Sequence, residues 1–282
     1  VGRRVGVDAT GGWTMQTDGT ESRGSKKRVT VIMPAYNAEL TLRRTYNDIP
    51  KDAVDEIILV DDASQDRTLQ IARELGLVTY AHDRNRGYGA NQKTCFARAL
   101  ERGADVVVMV HPDHQYDPRV IPDLVGPLLR DECDAVFGSR MLGGRPLDGR
   151  MPTWKYLGNI FLSAIENAVF LVYLTEYHSG FRAYSRRYLE AVRFDLNSDG
   201  FVFDTEIIAQ GIASGMKIRE IAIETRYFDE ASSIGFNRSV LYGLRILKTL
   251  MKFMLHRAKI WEFGQFAPAA PARGRWGDEE HR

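Results

Sequence analysis

The chain has 282 residues, 44% of them hydrophobic and 27% charged, which is ordinary for a folded protein and fits one large domain or two small ones. A formal net charge of +1 gives no global attraction to nucleic acid, so no nucleic-acid partner is expected and any electrostatic message is local. Two cysteines, Cys95 and Cys133, both in apolar stretches, argue against a disulfide framework or a cysteine zinc site and fit a reducing, cytoplasmic setting.

Residues 1–27 lack Leu, Ile and Phe, so they read as a disordered tail that buries too little apolar area to offset its ordering entropy. An alternation of short β-branched runs and helical stretches follows. Strands are expected over 28–33, ended by Pro34, and over 56–60, 77–81, 105–110 and 134–137, with helices over 39–48, 66–75, 89–102 and 119–130. Such alternation indicates an α/β fold with a mostly parallel sheet covered on both faces. The most apolar segment, 160–174, carries Glu166 and Asn167 and falls short of the ~20 apolar residues that span a bilayer. Residues 264–282, rich in Pro, Ala and Gly, read as a second tail.

Ligands in parallel sheets bind beyond the C-terminal strand ends, so the polar residues there are the candidates. After the first strand stand Pro34, Ala35, Tyr36, Asn37 and Glu39, where the tyrosine offers a flat face to a base or ribose. The second strand ends in Asp61-Asp62, adjacent acids that need donors, from a nucleotide or from turn amides. Asp66 suits a helix N-cap. After the third strand, Gly87 and Gly89 precede a helix, an arrangement that lets backbone approach a phosphate, with Lys93 one turn on. Gln92 stands where a dinucleotide fingerprint needs its third glycine, which counts against an NAD enzyme. After the fourth strand, His111, Asp113 and Gln115 alternate, a donor set suited to Mn2+ or Mg2+.

The ordered set Val31-Ile-Met-Pro-Ala-Tyr-Asn37, Val60-Asp-Asp-Ala-Ser-Gln-Asp-Arg-Thr68, Asn85-Arg-Gly87, His111-Pro-Asp-His-Gln115, Phe137-Gly-Ser-Arg140 and Ser179-Gly-Phe-Arg182 resembles family 2 of the glycosyltransferases, nearest the dolichyl-phosphate mannosyltransferase-like and polyprenyl-phosphate branch. The resemblance covers about residues 28–230. It implies a Rossmann-like glycosyltransferase type A fold and inverting transfer of a sugar from a UDP- or GDP-sugar. It further implies that Pro34, Tyr36, Glu39 and Asp62 line the nucleotide pocket and that Asp113 and Gln115 take the metal. Two positions depart from the family pattern: His111 replaces the first Asp of the metal motif, removing a negative charge, and Glu176 stands where an Asp often precedes the Ser-Gly-Phe-Arg stretch.

Transfer to a hydroxyl needs a general base, whereas a phosphate acceptor is already an anion. Asp204, the first choice, and Glu206 are the base candidates, and Arg182 suits a phosphate through its planar fork. Arg140, Arg150 and Lys155 form a candidate cradle for an acceptor lipid phosphate, with a glycan or small-molecule hydroxyl as the other acceptor class. Residues 238–259 combine six Lys or Arg with interleaved apolar residues and no acid, which suits an anionic membrane surface on the cytoplasmic side, a partner subunit (a homo-oligomer included) or packing on the domain itself. The domain layout is therefore a tail over 1–27, a transferase domain over 28–230, a basic amphipathic helical extension over 231–263 and a tail over 264–282. Residues 227–238 read as a loop suited to lid duty. A catalytically weakened nucleotide-sugar-binding protein is the rival that His111 motivates. A sugar nucleotidyltransferase is disfavoured because Pro34-Ala-Tyr-Asn37 replaces a Gly-rich loop after the first strand.

Overall fold

The computed structural model describes residues 6–7, 13–14, 26–143, 151–225, 236–267 and 269. A two-residue antiparallel pair, β1 (Gly6–Val7) and β2 (Trp13–Thr14), falls within the stretch expected to be a tail. The domain proper begins with β3 (Val29–Ala35), α1 (Leu42–Asp48), β4 (Glu56–Asp61), α2 (Thr68–Glu74), β5 (Val78–Ala81) and α3 (Tyr88–Glu101). It continues with β6 (Val106–Met109), α4 (Ile121–Leu129), β7 (Ala135–Ser139), α5 (Thr153–Phe170), β8 (Arg182–Ser185), α6 (Arg186–Ala191), α7 (Phe203–Ala213), β9 (Ile218–Ala222) and α8 (Phe236–Arg257). All five expected strands and all four expected helices in the first half are present, with boundaries moved by up to three residues.

Seven strands form one mixed sheet in the order β5-β4-β3-β6-β8-β7-β9. All neighbours run parallel except β8, which is antiparallel to both β6 and β7. The period-2 alternation of strand side chains divides the core between two faces. Ile32, Val60 and Met109 pack with Phe96 and Phe203 on one, while Val31, Met33 and Leu59 pack with Leu124 and Leu128 on the other. Burying each large side chain stabilises the fold by roughly 1.5–3 kcal/mol.

Pro34 does not end the first strand, as the sequence suggested; β3 runs one residue further, to Ala35. The Ile32 carbonyl accepts from Val110 on the β6 side, whereas Ala35 bonds Asp62 on the β4 side. Pro34 alternates with these, so its missing N–H falls on the β6 side, where β6 has already ended at Met109. The stretch 264–282, expected to be a tail, opens on a short turn at Gly264–Phe266 that buries the Phe266 ring in the core against Phe253. Gln210 Nε2 donates to the Gln265 carbonyl and Gln265 Nε2 donates to Asn197 Oδ1, both at 2.9 Å.

Candidate active site

The chain leaves β3 toward β4 and β5 on one side and returns to β6 on the other, so the switch point lies between β3 and β6. The loops that follow these strands share one edge of the sheet, where such folds bind ligands. Because β8 is antiparallel, with Arg182 level with Met109 and Phe137, residues 175–181 reach the same edge from the opposite direction. That is how the late Ser179-Gly-Phe-Arg182 stretch meets the early motifs.

The β3 and β4 loops brace each other. Asn37, in the left-handed region at φ 50°, receives the Gln65 amide on its Oδ1 and donates its own amide to Ser64, both at 2.9 Å. Glu39 Oε2 accepts the Arg67 amide at 3.0 Å, and the Glu39 amide donates to Asp66 at 3.0 Å. Asp66, read as a cap, accepts the Thr68 amide at 2.9 Å as α2 begins. Pro34 and Ala35 are buried in the strand beneath, while Tyr36 is 52% exposed at the rim. Asp62 is buried and tied to the β5 loop. Its carboxylate accepts the Arg86 and Gly87 amides at 2.8 and 2.9 Å and contacts His82 Nδ1 at 2.7 Å. Of the two donor sources considered for Asp62, turn amides supply these bonds.

The glycines before α3 admit the chain's own backbone. A Cβ on Gly89 would lie 2.3 Å from the Ser198 carbonyl oxygen, and one on Gly87, at φ 100°, would lie 2.8 Å from that of Asp199. The Gly89 amide donates to Asp199 O at 2.7 Å, and Lys93 reaches Asn197 O and the Asp199 carboxylate. Lys93 thus holds the 197–199 loop against the helix start. Gly89→Ala is expected to lower stability by about 1–3 kcal/mol, because backbone rather than a flexible side chain must yield; a urea melt monitored by circular dichroism would measure it.

Behind this loop, a buried polar cluster joins four elements. Asp204, at the start of α7, accepts from Tyr88 Oη at 2.9 Å and from Gln92 Nε2 at 3.2 Å, and pairs with Arg182 Nη1 at 3.4 Å. Arg182, only 1% exposed, also donates to Tyr177 O at 2.8 Å and lies over the Phe137 ring. His111 stacks on Tyr88, with its Nε2 at 3.4 Å from the tyrosine hydroxyl. Gly180 makes room for that ring, since a Cβ there would sit 2.8 Å from two imidazole atoms. Burial lowers the His111 pKa, against the raising pull of Asp113 and Asp204. Glu206, two residues beyond Asp204, points elsewhere and accepts the Ser198 amide at 2.6 Å. The structure therefore separates the two acids that the sequence placed together.

Among the described residues no three His, Cys, Asp or Glu side chains converge into a ready-made metal cluster. Asp113 accepts the Gln115 amide at 3.1 Å in the turn after β6, and both residues stand at the switch point. Mg2+-like cations commonly use one or two carboxylates, substrate phosphate oxygens and water, and Asp113 with Gln115 fits that requirement. His111 fits it less well, because its ring is committed to Tyr88 and Gly180.

On the β7 side, Glu176 is buried and grips Arg140 through both the guanidinium and the main-chain amide, the latter at 2.7 Å, and accepts Asn159 Nδ2 at 2.6 Å. Burial pushes the Glu176 carboxyl up, but Arg140 and its hydrogen bonds win and hold it below the usual value. Lys155 lies close enough to feel Arg140: burial first, then that charge, lowers its pKa. Arg150 and the loop segment 226–235 lie outside the described residues.

Sequence reasoning missed Tyr88, Gly180 and Asn159, and it read Gln92 only as a broken fingerprint. Gln92 lies one helical turn from Tyr88, and the two converge on Asp204. That i, i+4 pair of polar residues at a helix start is the signal that could have found them.

The mixed seven-stranded sheet, parallel but for β8 and flanked by helices, has the α/β architecture of the glycosyltransferase A type. The chain belongs to glycosyl transferase family 2, whose profile matches residues 30–193. It is 31% identical over 227 residues to an uncharacterized protein of Methanocaldococcus jannaschii, covering 80% of this chain and 92% of that one. It is 29% identical over 251 residues to the UDP-N-acetylglucosamine–dolichyl-phosphate N-acetylglucosaminyltransferase of Methanococcus voltae, covering 83% and 98%. The fold resembles glucosyl-3-phosphoglycerate synthase of Mycobacterium tuberculosis, solved with Mn2+, UDP-glucose and glycerol 3-phosphate, at a TM-score of 0.61 and 20% identity, over 81% of this chain and 80% of that chain. The chain is a glycosyltransferase.

Proposed function

We propose that this chain transfers a sugar from a nucleoside diphosphate sugar to a polyprenyl phosphate, with inversion and with the help of Mn2+ or Mg2+. The observation that carries the acceptor class is the state of Asp204. Tyr88, Gln92 and Arg182 engage its two oxygens, so the carboxylate is committed inside the protein rather than free to meet an acceptor hydroxyl. Glu206 is turned to the Ser198 amide. An acceptor that arrives as an anion needs neither. We assign Asp204 to positioning Tyr88 and Arg182, and the relatives named for dolichyl-phosphate acceptors support the same choice.

Tyr36 offers a stacking face for the base, while the braced β3 and β4 loops fix the rim on which the nucleotide lies. Asp113 and Gln115 would hold the divalent ion, which when bound neutralises charge on the leaving diphosphate. Arg140, oriented by Glu176, and Lys155 present two cations to the acceptor phosphate and hold it for in-line attack. His111 leaves the ion one negative charge short of the family pattern, which favours weaker metal affinity rather than a different reaction. Because the acceptor is a lipid, the chain is expected to work at a membrane surface, although no helix among the described residues is long and apolar enough to cross a membrane.

The test is incubation with UDP- and GDP-sugars, Mn2+ and a polyprenyl phosphate, with product anomer read by NMR. A glycolipid of inverted configuration is expected. Metal-dependent donor binding without turnover on any acceptor would instead favour the sugar-binding rival.

A further inference from the structure

Helix α5 (Thr153–Phe170) is apolar on both sides: it buries Asn159, Ser163 and Glu166 together with Phe170, packs Leu162, Ile165 and Val169 on the core, and still turns Trp154, Leu157, Ile160 and Phe161 outward, Leu157 at 60% and Phe161 at 63% exposure. A surface helix in water keeps its outward side polar. Its neighbour α8 carries two apolar stripes. Ile246, Leu250 and Phe253 are buried in the core, whereas Val240, Leu244, Leu247, Met251 and Met254 form a second ridge, with Leu244 59% exposed. The two helices run side by side, with Leu162 of α5 at 3.8 Å from where a Gly243 Cβ would stand. Beside the α8 ridge lie Arg245, Lys248, Lys252 and Lys259. Residues 236–261 contain no Asp or Glu, and the single acid of α5 is the buried Glu166.

We propose that the outer faces of α5 and α8 together form a docking surface for an anionic lipid bilayer, an inference that rests on the lipid-acceptor reading above and says where the lipid is met. Apolar ridges would enter the acyl boundary while the basic flank meets the headgroups. The polar inner stripe of α5 then leads inward: Asn159 donates to Glu176, which grips Arg140, so the docked face backs onto the acceptor cations. A second copy is the poorer occupant. With two-fold pairing it would bring basic flank to basic flank with no exposed acid on either helix to balance them.

The experiment is co-sedimentation of the full chain with vesicles of phosphatidylcholine alone or mixed with phosphatidylglycerol, alongside a thermal shift with UDP- and GDP-sugars and Mn2+. Binding to the anionic vesicles is expected. It should fall by roughly tenfold or more in the double variant Leu157→Glu/Phe161→Glu. Lys248→Glu/Lys259→Glu, which leaves both ridges intact, and high salt should weaken it too. Both pairs lie at the surface, and an unchanged circular dichroism melt would confirm that they fold. A donor-induced shift without vesicle binding by the wild type overturns the surface alone; loss of the donor shift in the wild type would instead strike at the enzymatic reading. A lipid-free dimer dissolved by Leu157→Glu/Phe161→Glu would assign this face to subunit contact and overturn the proposal.

Discussion

Replacing Asp113 by Ala is expected to lower kcat/KM by about 100-fold or more in saturating Mn2+, while the melting temperature changes little. The reason is an asymmetry in what Asp113 touches. The local hydrogen bond to the Gln115 amide is lost from the fold, at about 1 kcal/mol. The proposed ion loses its one carboxylate. Titration calorimetry of a nucleoside diphosphate with and without Mn2+ separates the roles: the variant should keep metal-free affinity and lose the Mn2+-dependent increment. An increment equal to that of the wild type would remove Asp113 from the metal site.

Replacing Glu176 by Ala is expected to be the most destabilising single change near the site, at about 3–5 kcal/mol, on the order of 10 °C in melting temperature. Arg140 and Asn159 would lose their shared partner inside the protein. The pH dependence has a definite sign. The folded-state carboxyl is held below its ordinary 4.5, so the stabilisation is fully present above that value and is lost as pH falls through the lowered one. Glu176→Gln should therefore flatten the acid limb of a stability–pH profile; an acid limb identical to that of the wild type would show that the Arg140 pair contributes nothing there.

The first half of the fold was legible because its strands are unbroken β-branched runs, such as Val106–Met109, buried on both faces. β8 was not, since a four-residue strand that opens on Arg182 looks polar until that guanidinium is seen paired inside the sheet. β9 mixes Arg219 and Glu220 with its apolar residues, as suits an edge strand. At the site, the rim and the β6 turn could be read from strand-end positions alone. The partners of Lys93 and the glycines could not, because the 197–199 loop that meets Gly89 and Lys93 lies about a hundred residues away and only folding brings it there. The polarity of α5 was visible in principle: Asn159, Ser163 and Glu166 fall four and three residues apart, a spacing that marks a hidden polar stripe in an otherwise apolar segment.

The carboxamides of Asn197, Gln210 and Gln265 give α8 a mechanical consequence. They rivet the turn just beyond the helix to the loop that leans on the start of α3. A tilt of α8 must either shear those amide bonds or drag the loop with it. Load applied to the helix from outside would thus reach the loop that Lys93 and Gly89 hold at the start of α3.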